Sequence, residues 1–211
     1  MPTALLWDND GVLVDTEVLY FQATRELLAS VGAQLTEALY SELFLRQGRG
    51  AWHLARELGA NEERITELTQ LRNARYSELL TRGGLVYPGV ELAIAALAQR
   101  YRMAIVTSSQ PEHFEQIHRT SAFLAHFEFV LTRSDYARSK PDPEPYLTAL
   151  ARLGLAAEEC LVIEDSERGL RAAVAAGIRC WVVRSHFSRE LEFPLAERVF
   201  PDIASLTAAL L

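Results

Sequence analysis

The sequence predicts an α/β fold, a parallel sheet covered by helices on both faces, with a helical segment inserted after the first strand. Three observations carry this reading. Short, near-continuous apolar runs alternate with helix-period stretches, the pattern of strands buried on both faces. Gly154 and Gly177 follow two of the helical stretches, where a left-handed C-cap residue is expected. Residues 16–81 lack any convincing strand pattern, so the alternation is interrupted once, early in the chain.

Taken in order, Ala4-Leu5-Leu6-Trp7 reads as the first strand. Amphipathic helices are then expected over residues 19–28, 51–58 and 62–80, with Gly32, Gly48, Gly50 and Gly59 in the gaps. Connections near residues 12–16 and 83–89 would join this insertion to the rest of the chain. The expected organisation is a core of residues 1–15 and 84–211 carrying an inserted helical unit of residues 16–83. Beyond it, strands are predicted over 103–106, 127–131, 161–163 and 180–183, and helices over 90–100, 111–121, 144–153 and 167–176.

The chain of 211 residues is 49% hydrophobic and 23% charged, with a formal charge of −7. No basic cluster of the density that phosphate backbones require is present, which excludes nucleic acid as a partner. An acidic protein still binds a phosphate ester when a divalent cation lies between its carboxylates and the ligand. Cys160 and Cys180 lie in apolar runs and read as small buried hydrophobes. There is no signal-like N-terminal pattern and no apolar run of about 18 residues, so a cytoplasmic protein with no membrane partner is expected.

Ligands of such sheets bind beyond the carboxyl ends of the strands. Asp8-Asn9-Asp10-Gly11 follows the first strand, and Glu164-Asp165-Ser166 follows the fourth. Neighbouring strand ends would bring Asp8, Asp10 and Asp165 together, and like charges so close call for a cation or a shared proton. Hard oxygen ligands suit Mg²⁺, which also takes a substrate phosphate oxygen. Thr107-Ser108-Ser109 precedes a helix with Pro111 in its first turn, an arrangement suited to an anion. Ser109, three residues before Glu112, stands in a capping position. Lys140 lies in Lys140-Pro141-Asp142-Pro143, where the prolines stiffen the chain.

These four motifs, in this order, resemble those of the haloacid dehalogenase superfamily, in its phosphatase and β-phosphoglucomutase-like branch with a helical cap. The resemblance implies a Rossmann-like core, a cap formed by the insertion, and a Mg²⁺-dependent phosphatase acting on a small phosphorylated metabolite. It assigns Asp8 as the nucleophile that forms an aspartyl phosphate, and Asp10 as the acid that protonates the leaving alkoxide and later activates water. Mg²⁺ would be held by Asp8, Asp165 and the backbone carbonyl of Asp10, with Glu164 beside it. Thr107, Ser108 and Lys140 would hold the phosphoryl oxygens.

Asp10 sets this chain apart from transport ATPases and haloalkanoate dehalogenases of the superfamily. The absence of lysine from the insertion excludes the Schiff-base phosphonatases. In the β-phosphoglucomutases the first cap helix carries a His where this chain has Tyr20, which favours hydrolysis over mutase activity, although Thr16 of the mutase hinge is retained. The loop from Arg46 to His53 would face the core, with Arg46 or Arg49 contacting the leaving group. Trp7 and Asn9 depart from the commoner Phe and from the aliphatic or small residue of the nucleophile loop, a change expected to alter packing.

Overall fold

The computed structural model describes residues 2–211. Its strands are β1 (Ala4–Trp7), β2 (Arg102–Val106), β3 (Phe129–Leu131), β4 (Cys160–Glu164), β5 (Arg179–Val183) and β6 (Arg198–Phe200). All neighbours pair in parallel, in the order β3-β2-β1-β4-β5-β6. The helices are α1 (Glu17–Ala29), α2 (Glu37–Tyr40), α3 (Trp52–Glu57), α4 (Glu62–Leu80), α5 (Val90–Leu97), α6 (Pro111–Ile117), α7 (Glu144–Leu153), α8 (Glu167–Ala175) and α9 (Ile203–Leu210).

Side chains of a strand alternate between faces, so a strand buried on both faces must be apolar at every position. Leu5, Trp7, Met103, Ile105, Leu161, Ile163, Trp181 and Val183 pack under α5, α6 and α9. Their alternate neighbours Ala4, Leu6, Ala104, Val106, Cys160, Val162, Cys180 and Val182 meet α7 and α8 on the opposite face. Both cysteines are buried and free, as expected. The chain runs outward from β1 through β2 to β3, then returns to lay β4 on the other side of β1. The carboxyl end of β1 is therefore the topological switch point.

β6 has no counterpart in the sequence-based expectation. It is a three-residue edge strand in which only Phe200 is buried, so its apolar signal is a single residue. The insertion also holds more helix than its pattern suggests: α2 continues into a π-helical stretch, Ser41–Arg46, and the Thr36 hydroxyl accepts from the Leu39 N–H at its start. Helices α1 to α4 and this stretch pack around Phe21, Leu28, Tyr40, Leu43 and Leu68, joined by Phe187 from the loop after β5. The two connections lie side by side, with the Asp15 N–H bonded to the Leu85 carbonyl at 2.7 Å and the Tyr87 N–H to the Leu13 carbonyl at 3.1 Å. Among the described residues no helix is long and apolar enough to cross a membrane.

Candidate active site

The strand ends bring Asp8, Glu164 and Asp165 together, each offering a carboxylate oxygen within 4.8 Å of the others. Asp8 continues β1, its N–H bonded to the Ile163 carbonyl of β4 at 2.9 Å. Lys140 reaches this cluster from the loop before α7. Its ammonium donates to Asp8 Oδ1 at 2.7 Å, Glu164 Oε1 at 2.8 Å and the Val106 carbonyl at 2.8 Å. Three donors thus meet three acceptors, a geometry for a compact ammonium and not for a planar guanidinium. Lys140 is also the single lysine in a chain with twenty arginines. That compositional anomaly is a signal that sequence reasoning passed over.

Glu164 has several donors. Oε1 also accepts from the Tyr146 hydroxyl at 3.0 Å, while Oε2 accepts from the Asp165 and Ser166 N–H groups and the Ser166 hydroxyl. Asp165 is the opposite case: its Oδ2 is buried with no hydrogen-bond partner. Two glycines make room for these carboxylates. A Cβ on Gly11, whose φ is +83°, would stand 2.0 Å from Asp165 Oδ2, and one on Gly169 would stand 1.8 Å from Glu164 Oε1.

The Asp10 side chain points away from this cluster. Oδ2 accepts from the Ser109 hydroxyl at 2.7 Å and the Thr107 hydroxyl at 3.1 Å, and Oδ1 accepts from Thr16 at the start of the insertion. Ser109 is therefore not the cap of α6, contrary to expectation. Gln110 occupies that position without a side-chain bond, and the Ser109 hydroxyl is drawn to a carboxylate, the stronger acceptor. Thr107 is fully buried after β2, and Ser108 beside it has a buried hydroxyl with no hydrogen bond.

Burial dominates the electrostatics. It pushes the Asp8 carboxyl up to about 7, with Glu164 adding repulsion and Lys140 opposing both. Asp165 is raised well above the usual carboxylate range by burial and by its neighbours Glu164 and Asp8. Burial acts the same way on Glu164, but the Lys140 ammonium outweighs it and holds this carboxyl below its ordinary value. A cluster of this kind is short of positive charge.

A cavity of about 220 Å³ is lined by Asp10, Thr16, Ser108 and Ser109 on one side and by Tyr20, Tyr76 and Arg72 of the insertion on the other. Arg72, which is buried, lies 4.3 Å over the Tyr20 ring and donates to Asn73 Oδ1. Arg168, from the first turn of α8, also lines the cavity, and its Nε is buried without a hydrogen bond. The arginines expected to face a substrate lie elsewhere. Arg46 pairs with Glu42 and with Glu167 of α8, and Arg49 contacts His53; neither lines this cavity. Their loop has the right composition, but Glu42 and Glu167 hold Arg46 at the surface, and Arg49 turns to His53. Arg72 carries no local motif, and only the tertiary fold brings it in; Arg168 lies between Ser166 and Gly169, directly after the fourth strand's carboxylates, a local signal that sequence reasoning did not use.

The family model for haloacid dehalogenase-like hydrolases matches residues 5–183. The protein CbbY, plasmid, of Cupriavidus necator is 34% identical over 216 residues, covering 95% of this chain and 85% of that protein. The phosphorylated carbohydrates phosphatase of Thermotoga maritima is 35% identical over 181 residues, covering 83% and 82%. Among solved structures, a mutant CbbY from Rhodobacter sphaeroides in complex with xylulose-(1,5)bisphosphate superposes with a TM-score of 0.82 at 27% identity, covering 98% of this chain and 96% of that one. With the carboxylates, the lysine and the parallel sheet in the places the motifs imply, the chain belongs to the haloacid dehalogenase-like hydrolases, as one of their phosphatases.

Proposed function

We propose that the protein hydrolyses a small phosphorylated sugar or sugar acid through an aspartyl phosphate on Asp8, with Mg²⁺ as cofactor. The observation that carries this reading is the division of labour between the two aspartates: Asp8 sits in the buried acidic cluster with Lys140, and Asp10 is held apart by hydroxyl groups at the cavity wall. The core of residues 1–15 and 84–211 would supply this chemistry, and the unit of residues 16–83 would act as the cap.

The residues present suit Mg²⁺. Asp165 Oδ2 is an orphaned buried oxygen, its neighbours are hard carboxylates, and the cluster carries excess negative charge. Asp8 and Asp165 would hold the ion, with the Asp10 carbonyl and Glu164 beside it. Bound there, Mg²⁺ supplies the charge that lets a phosphate dianion approach three carboxylates. Asp8 attacks phosphorus as Asp10 gives its proton to the departing oxygen. Asp10 then takes a proton from the water that hydrolyses the aspartyl phosphate. Lys140, the Thr107 hydroxyl and the Ser108 N–H and hydroxyl neutralise and hold the phosphoryl oxygens.

Arg72 and Arg168 bear on the substrate class. Among the described residues neither guanidinium forms an ion pair, and although Glu17 in the same cavity attracts Arg168, the two cations suit a substrate with a second anionic group, a carboxylate or another phosphate. Tyr20, set edge-on against Tyr76 under Arg72, leaves no imidazole at the position where the mutases carry one, which supports water as the acceptor. The test is a phosphate-release screen over sugar monophosphates, bisphosphates and phospho-acids, with Mg²⁺ and with chelator. Release is expected only with the metal, and Arg168→Gln should lower kcat/KM for doubly anionic substrates about tenfold or more, the scale of a lost charge-assisted bond. Full activity in chelator, or an unchanged ranking in Arg168→Gln, would contradict the respective part.

A further inference from the structure

Asn9 lies between the two aspartates, is fully buried and brings a polar amide into the core. Such a group costs stability unless its bonds are made. Its backbone carbonyl accepts from the N–H groups of Val12, Leu13 and Val14, closing the turn that carries Asp10. Its side chain meets His118, the residue ending α6, with Oδ1 at 2.7 Å from His118 Nε2. The other ring nitrogen, Nδ1, lies 3.0 Å from the Ser121 hydroxyl. Phe114 and Phe123 pack against the imidazole, with ring centroids 4.5 and 5.6 Å away.

These contacts define the hydrogens. The Asn9 amide nitrogen faces Asp10 Oδ2 at 3.4 Å, so the amide oxygen must face the histidine; the reversed amide would set two acceptors against each other. His118 must therefore carry its proton on Nε2. Nδ1 is then an acceptor, and the Ser121 hydroxyl is its donor. Burial keeps the ring neutral, holding its pKa down to about 4. Ser121, His118 and Asn9 form a one-way chain of donors that ends on the carboxylate of Asp10. His118 is buried and does not line the cavity, so its influence on the site passes through Asn9.

We propose that His118 is a positioning residue for Asp10, acting through the Asn9 side chain and the turn that Asn9 closes. This inference rests on the assignment of Asp10 as general acid and base. Without the His118 donor the Asn9 amide is free to turn over and present its oxygen to Asp10, and the carboxyl loses its fixed aim at the leaving group. A misaimed acid matters most when the leaving group is a poor one. His118 therefore controls how steeply the rate depends on the leaving group.

The test uses the full chain with Mg²⁺ and a series of aryl phosphates from p-nitrophenyl to p-methoxyphenyl phosphate. In His118→Phe, which keeps an aromatic ring against Phe114 and Phe123, kcat/KM should fall about twofold for the p-nitrophenyl ester and about tenfold or more for the p-methoxyphenyl ester, a fraction of a full general-acid effect. His118→Gln retains an N–H donor and should restore most of the wild-type slope. Ser121→Ala, outside the cavity, releases the tautomer and should steepen the slope by about two- to threefold, so the proposal stays testable if His118→Phe does not fold. An equal loss across the series in His118→Phe, with no rescue by His118→Gln, would mean a packing role alone and would overturn the proposal. Asp10→Asn separates the two levels. If it leaves the slope at the wild-type value, the assignment of Asp10 fails; if it steepens the slope while His118→Phe and Ser121→Ala run parallel to wild type, only the role of His118 fails.

Discussion

Acidification should weaken Mg²⁺ binding far more than ordinary carboxylates would allow. An isolated Asp is ionised well above pH 4 and would make affinity flat across the neutral range. Here burial, and then Glu164, raises Asp8 to about 7, and Asp165 is raised as well. The ion displaces the protons these groups hold, and each proton displaced costs about tenfold in affinity per pH unit, about 1.4 kcal/mol. Between about pH 8 and about pH 6 the ionised fraction of Asp8 falls roughly tenfold, so this group alone weakens binding about tenfold, and Asp165 steepens the fall. The metal-free protein should show the converse. The folded Asp8 binds its proton more tightly than the unfolded chain does, so metal-free stability declines as the pH rises from about 4 to about 7, and added Mg²⁺ stabilises most at the upper end. Titration calorimetry near both pH values, in two buffers of different ionisation enthalpy, measures affinity and protons released together. One to two protons per ion are expected near pH 6. An affinity that changes less than about twofold over this range, with no proton release, would refute the reasoning.

Two further predictions concern the residues around the aspartates. Gly11→Ala forces a Cβ into Asp165 at a φ of +83°, so it should raise the Mg²⁺ concentration for half-maximal activity by about tenfold or more, the scale of disturbed second-shell groups; an unchanged metal titration would show that the loop yields freely. Asp10→Asn should lower turnover by about 10²–10⁴-fold and let the aspartyl phosphate accumulate, detectable by acid quench with labelled substrate. Fast turnover without accumulation would remove Asp10 from the proton-transfer role.

Much of this molecule was legible in the sequence because its main signals are local. Apolar runs such as Leu5-Leu6-Trp7 and Leu161-Val162-Ile163 announce central parallel strands, and the groups at their carboxyl ends fall at the switch point without knowledge of any contact. Lys140 is legible through its prolines and more so through its singularity. What escaped depends on partners far away in sequence. Arg72 comes from the middle of an inserted helix, and nothing beside it distinguishes it from a surface arginine; Arg168 was within reach of a sequence reading, since it follows Glu164-Asp165-Ser166 by two residues, whereas Arg46 and Arg49 sit in a suggestive loop and pair outside the cavity. Ser109 looked like a cap because the capping pattern is local, while the carboxylate that takes its hydroxyl is 99 residues away. Asn9 stood out as unusual, but its partner His118 is 109 residues distant.

The solitary lysine has a practical side. Apart from the α-amino group, the chain offers amine-directed reagents a single target, and Lys140 is 2% exposed, with its ammonium bound on three sides. The other basic side chains are arginines and histidines, and both are inert to reductive methylation. Lysine chemistry on the native protein is therefore a gauge of opening: the rate of methylation at Lys140 reports how often the loop before α7 parts from Asp8 and Glu164. A ¹³C-methyl group installed there would place one magnetic resonance probe inside the carboxylate cluster, with no other lysine on the surface to obscure it.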